Sequence, residues 1–244
     1  MPICPTCAYQ RRPSDTHVHA GICPRCGVVY VRAAAASVAS AESESEPVVE
    51  RQAFLDWITE PPERVDEVAL YARLACGIAL ALWTLYFIFH GLDWEVIGGS
   101  FMHNINLAFH EFGHIFFSPF GEFMTILGGS LFQVLWPWTF LVAFLLKYRD
   151  TFAASIMLWW SGQSLLDLSP YIADAYTRGL PLVGGGGEES HDWGNLLTMT
   201  GLLDSHLTLA RSAFFFGSVI MLAALLWMAR TLWRQRELLG ANAN

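Results

Sequence analysis

The apolar residues of this chain gather into long blocks rather than alternating with polar ones. Leu74–Leu92 runs nineteen residues without a formal charge, close to the roughly 20 that a helix needs to cross a bilayer. Phe123–Leu146 adds twenty-four, interrupted by Gly128-Gly129 and Pro137. Thr151–Leu166 stays uncharged up to Asp167, and Ser212–Ala229 is a further span followed by Arg230, Arg234 and Arg236. Between the first two blocks, Val96–Phe120 is apolar except for the cluster His103, Asn106, His110, Glu111 and His114. The pattern predicts an all-α polytopic membrane protein of four to five transmembrane helices. The glycine pair makes residues 123–146 a candidate re-entrant segment.

Composition supports the same class. Of 244 residues, 54% are hydrophobic and only 15% charged, against about one quarter charged in soluble domains. The net charge of -8 argues against a nucleic-acid partner, which calls for a basic face. Met1–Arg12 lacks the apolar core of a secretory signal.

The first 32 residues have a different character. Cys4-x2-Cys7 and Cys23-x2-Cys26 are two tight pairs fifteen residues apart, which suits four thiolates around one tetrahedral zinc ion better than two disulfides. The segment resembles a zinc ribbon. A module this small needs the metal to fold, and reduced thiolates place it in the cytosol. Cys76, alone in an apolar run, reads as a packing residue. Residues 33–53, rich in Ala, Ser and Glu, read as a flexible linker, and 54–70 as a short interfacial helix. A membrane domain over 71–236 and a tail over 237–244 complete the division.

Chemistry concentrates at His110-Glu111-Phe112-Gly113-His114. On a helix the two histidines lie one turn apart and both rings reach one ion, while Glu111 sits beside them to take a proton from water held there. His103 and Asn106 fall on the same stripe and suit an outer shell that orients the ligands. An acid and two histidines inside a lipid-facing run are costly unless they face an interior and have partners, so a polar knot or proton pathway is the competing reading.

This motif in a membrane helix, followed about sixty residues later by an acid near a proline, resembles the site-2-protease family of intramembrane zinc metalloproteases. The resemblance covers residues 96–176. It implies a zinc endopeptidase that cuts a membrane protein or peptide, with Glu111 as general base, and a third zinc ligand from the segment Asp167-Leu-Ser-Pro170-Tyr-Ile-Ala-Asp174. Relative to the family pattern the second acid comes one residue early, and Ala175 stands where the family has glycine. Asp174 is the preferred third ligand: a helix broken at Pro170 frees the backbone to present its carboxylate near His114. Asp167 is an alternative, as are His191 and Asp192, because the run Gly184–Gly187 lets their loop fold back over the site. The resemblance also suggests that Gly128, Gly129 and Gln133 border an extended edge that pairs with substrate; the alternative is close helix packing through small residues.

One catalytic and one structural zinc are therefore expected, in a bacterial cytoplasmic membrane, with the ribbon available to a cytosolic protein partner. A non-catalytic metal scaffold or an ion or proton transport component is the competing function. Lys147, Arg149 and the terminal arginines belong in the cytosol. Five full crossings would then leave the ribbon outside, a conflict that a re-entrant 123–146 removes.

Overall fold

The computed structural model describes residues 3–32, 53–54, 56–60, 66–183 and 187–242. The expected linker lies outside these residues apart from Ala53, as does the 61–65 portion of the expected interfacial helix, of which 56–58 are helical. The chain divides into two compact units, Met1–Trp57 and Ile58–Asn244.

In the first unit each cysteine pair closes the same knuckle. Cys4 N–H donates to Tyr9 and Ala8 N–H returns to Cys4; Cys23 N–H donates to Val28 and Gly27 N–H returns to Cys23, all at 2.9 Å. Isolated bridges Ile3–Gln10 and Ile22–Val29 flank the knuckles. Each turn needs a left-handed residue, supplied by Gly27 (φ 73°) and, against its preference, by Ala8 (φ 55°). Arg11 ties the intervening loop by donating to the carbonyls of Asp15, Val18, His19 and Ile22.

The second unit is helical: α1 Glu67–His90, α2 Trp94–Gly98, α3 Phe101–Phe117, α4 Glu122–Ala143, α5 Thr151–Ala173, α6 Asp192–Thr200 and α7 His206–Asn242. Short polar residues start several of them. The side chains of Asp66, Ser100 and Asp150 accept the N–H of Ala69, His103 and Ala153 at 2.6, 3.1 and 3.0 Å.

Among the described residues three helices have the length and hydropathy to cross a membrane: Glu67–His90, Glu122–Tyr148 and Leu203–Ala241. The expected count of four to five is met in part. At seventeen residues α3 is about 26 Å long, short of the roughly 30 Å hydrocarbon core. Helix α5 is long enough to cross; the polar side chains that set it apart from the other three (Ser155, Ser161, Gln163, Ser164, Asp167 and Ser169) are buried against neighbouring helices and so are kept from lipid. Residues 123–146 do not re-enter. Helix α4 runs unbroken through Gly128-Gly129 and Pro137 and ends in a π turn at Phe144–Tyr148. The expected tail is helical as far as it is described, since α7 continues to Asn242.

The helices meet where side chains are smallest. A Cβ on Gly128 would lie 2.7 Å from the Gly113 carbonyl oxygen, and one on Gly217 would lie 2.7 Å from that of Gly162. Backbones thus touch at the α3–α4 and α5–α7 crossings. Around them pack Phe87, Ile97, Met102, Trp159, Leu166 and Met221.

Cross-helix pairs fix the directions. On α1, Thr84 accepts the Trp159 indole proton at 2.7 Å, and Gly77 faces Met228. On α4, Gln133 donates to the Ser164 carbonyl and Trp138 to the Ser161 hydroxyl. Helices α1 and α5 therefore run one way and α4 and α7 the other. The end where α1 begins carries Arg73, Lys147, Arg149, Arg230, Arg234 and Arg236; the opposite end carries Glu122, Asp174, Asp192 and Asp204. Helix α3 stays within the acidic half. Its first turns meet Asp167, and its last meet Thr125 and Gly128.

Candidate metal centres

In the ribbon, the four sulfurs lie within 4.8 Å of one another. Cys4 and Cys26 are 3.6 Å apart, and Cys7 and Cys23 are 3.7 Å apart. Tetrahedral zinc with bonds of about 2.3 Å needs about 3.8 Å between sulfurs, so the cluster fits the ion. Burial pushes the Cys23 thiol up, but N–H groups of Cys26 and Arg25 and neighbouring thiols bring it down to about 6. The Val28 N–H lowers Cys26, yet burial and the other three thiols push it up to about 12. Four thiols here ionise together only around a cation.

The second cluster forms in the acidic half, where one face of α3 meets α4, α5 and the start of α6. The Ser100 cap sets the register of α3, which buries Asn106, His110 and Gly113 and turns Phe112, Ile115 and Phe116 outward. His110 Nε2 lies 2.8 Å from Asp192 Oδ2, and His114 Nε2 lies 3.3 Å from the same oxygen. Around zinc with bonds of about 2.1 Å, ligand atoms stand about 3.4 Å apart, so the set needs only a small expansion to hold the ion.

The rings are locked from behind. His114 Nδ1 is 2.8 Å from the Thr125 carbonyl, which only accepts. His110 Nδ1 is 3.1 Å from Gln133 Oε1, whose amide nitrogen donates to Ser164 O and Asp167 Oδ2. Both Nδ1 atoms therefore carry a proton, and both Nε2 atoms face the Asp192 carboxylate. Without a metal the rings can donate Nε2 protons to that carboxylate; with those protons displaced, the three atoms could hold one metal ion. Gly129 makes the space: a Cβ there would lie 2.6 Å from Nε2 of both histidines.

Asp167 is the centre of a buried network behind this site. It accepts from His103 Nδ1 (3.1 Å), Asn106 (3.3 Å) and Gln133 (3.1 Å). Asn106 in turn donates to Gln163 and accepts from Trp160 and Ser164. Such a network relieves much of the cost of a carboxylate at 4% exposure in an apolar setting. His103, Asn106 and Gln133 thus converge on Asp167; Gln133, expected beside a substrate-pairing edge, also bonds His110, and Asp167 lies behind the His110–His114–Asp192 cluster.

Asp174, the preferred third ligand, is engaged elsewhere, because Pro170 does not break α5. The helix runs to Ala173 and Asp174 caps it, accepting from Leu180 N–H at 2.8 Å and from the Thr177 hydroxyl. Burial alone would raise its carboxyl, but those donors with the Gly179 N–H hold it below the usual range. The loop does fold back, yet it delivers Asp192 rather than His191. The His191 ring is fully buried, accepts the Gly194 N–H at 3.0 Å to cap α6, and stacks on Tyr171 at 4.4 Å. Burial holds that ring toward its neutral form. Gly128 and Gly129 lie inside a helix with no extended edge, so close packing is their observed role.

A cavity of about 700 Å³ opens beside the cluster, lined by His103, His110, Glu111, His114, Tyr171 and Asp192 among others. Glu111 is exposed to it and makes no hydrogen bond among the described residues. Tyr171, whose hydroxyl accepts the Asp192 N–H at 2.9 Å, was not singled out by the sequence, nor was the Thr125 carbonyl. No family model, curated protein or solved structure matches the chain.

Proposed function

We propose that this chain is a membrane-embedded zinc endopeptidase of the site-2-protease kind, which cuts a membrane protein or peptide. The observation that carries the reading is the convergence of His110, His114 and Asp192 beside an unengaged Glu111 on one cavity. When bound there, zinc polarises a scissile carbonyl and acidifies a water. Glu111 takes the water's proton as it adds to the carbonyl and returns it to the leaving amine. Gln133 and the Thr125 carbonyl hold both imidazoles in the ligating tautomer.

By the rule that Lys and Arg stay inside, the basic end of the bundle is cytosolic. The chain N-terminal to α1 emerges there, which supports a cytosolic ribbon, able to engage a protein partner, in a bacterial cytoplasmic membrane. The cavity then belongs to the outer half of the bilayer. Because α3 does not cross fully, this orientation needs no re-entrant α4.

The buried His103–Asp167–Gln133 network favours a second reading, a metal or proton transport component. Glu111→Gln separates the two. As a peptidase the variant should keep its zinc while cleavage of a candidate membrane substrate falls on the order of 10²–10⁴-fold. Undiminished cleavage would rule out the proposed base, and metal or proton flux across vesicles would favour transport.

A further inference from the structure

Tyr171 stands four residues after Asp167, one turn along the same face of α5, and no ligand position requires it. Its hydroxyl accepts the main-chain N–H of Asp192 at 2.9 Å, its ring stacks on His191 at 4.4 Å, and the His110 ring lies 6.2 Å away. The hydroxyl is therefore one residue's reach from the ligand cluster, and its side chain lines the cavity that Glu111 faces. The accepted N–H occupies one lone pair and leaves the phenolic proton to rotate between the Asp192 carboxylate and a group in the cavity.

Several other donors around the cavity are committed. His103 gives its Nδ1 proton to Asp167, Thr125 its hydroxyl proton to Gly121 O, Gln133 its amide to Ser164 O and Asp167, and Asn195 an amide proton to Glu189 O. The Trp94 indole and the Ser190 hydroxyl are further donors on the wall, and among the described residues no lysine or arginine lines it. Peptide hydrolysis nevertheless develops negative charge on the carbonyl oxygen, and a donor fixed beforehand at that position lowers the barrier.

We propose that Tyr171 is this donor, a catalytic residue that hydrogen-bonds the oxygen of the tetrahedral species; this rests on the peptidase reading above. As water adds to the carbonyl carbon, a C–O bond forms and Glu111 takes the water's proton. The carbonyl π pair moves onto its oxygen, which accepts the Tyr171 O–H. Collapse of that oxyanion breaks the C–N bond, and the proton held by Glu111 goes to the leaving amine. Tyr171 keeps its own proton throughout, and the Asp192 N–H holds its hydroxyl in place.

The test uses full-length protein in detergent, loaded with cobalt(II) and titrated with phenylphosphonate, a tetrahedral oxyanion, while the visible spectrum is followed. Tyr171→Phe keeps the ring against His191 and removes only the hydroxyl. Cobalt content and the spectrum before phosphonate should match the wild type, and phosphonate affinity should fall roughly 10- to 100-fold, as expected for a lost hydrogen bond to a charged oxygen. Unchanged phosphonate affinity would overturn the proposal. So would loss of cobalt from the histidine cluster, which would make Tyr171 a positioning residue for Asp192. A wild type that binds cobalt at the ribbon alone would instead remove the peptidase reading itself, and this outcome is visible before any variant is made.

Discussion

Gln133 illustrates how single side chains set up this site. Its oxygen fixes the proton on His110 Nδ1, and its nitrogen is spent on Ser164 and Asp167, so the amide cannot flip without losing three partners. Gln133→Leu keeps the volume and removes the lock. Zinc affinity at the histidine cluster should fall about 10- to 100-fold, with ribbon zinc unaffected, in a competition titration against a chromophoric chelator. The convergence of His110 and His114 was legible in the sequence because helical spacing alone brings two rings four residues apart to one point. The acid that joins them was not. Asp174 and Asp192 are both single acids in a loop region, and what separates them is whether α5 ends at Pro170 or runs to Ala173. The motif His191-Asp192 carried a usable signal, since a residue opening a short helix has its side chain position set by the cap.

Among elements, α4 departs furthest from expectation. A glycine pair in an apolar run suggests a break, yet both glycines sit in regular helix because α3 needs the room: Gly128 admits the α3 backbone and Gly129 the two ring edges. Gly129→Ala separates helix propensity from site geometry. Alanine favours a helix over glycine by about 0.5–1 kcal/mol, so α4 itself is not weakened. The added Cβ nonetheless falls 2.6 Å from both Nε2 atoms. The variant should remain folded by circular dichroism while losing the zinc held by the histidines; retention of that zinc would place the ion elsewhere. The existence of the long helices was legible from the length of the apolar blocks, whereas α6 lies in what the sequence reads as a loop. Which helices traverse the bilayer was less so, because α5 looks apolar by its lack of charge while its serines, glutamine and aspartate face protein.

At the scale of the whole molecule, the chain joins two candidate metal centres of different chemistry. The ribbon binds through thiolates, and a metal must displace the protons of any thiol that is not ionised, so its affinity rises with pH. Cys23 is brought down to about 6 against the effect of its burial, and Cys26 is pushed up to about 12, so protons compete with the metal more strongly as the pH falls. Chelator-accessible zinc from the ribbon should increase as pH falls through about 6, read as metal released from protein carrying His110→Ala and His114→Ala. The division into a cysteine module and a membrane bundle was legible from composition alone. The charge asymmetry of the bundle was not, since it required the helix pairings that place Arg73, Lys147, Arg149, Arg230, Arg234 and Arg236 at one end and only Arg178 and Arg211 at the other. The central claim is that His110, His114 and Asp192 share one zinc ion, and zinc content per purified full-length chain tests it most directly. The wild type should hold two ions, Asp192→Ala one, and Asp174→Ala two. Two ions retained in Asp192→Ala, or one lost in Asp174→Ala, would contradict the account.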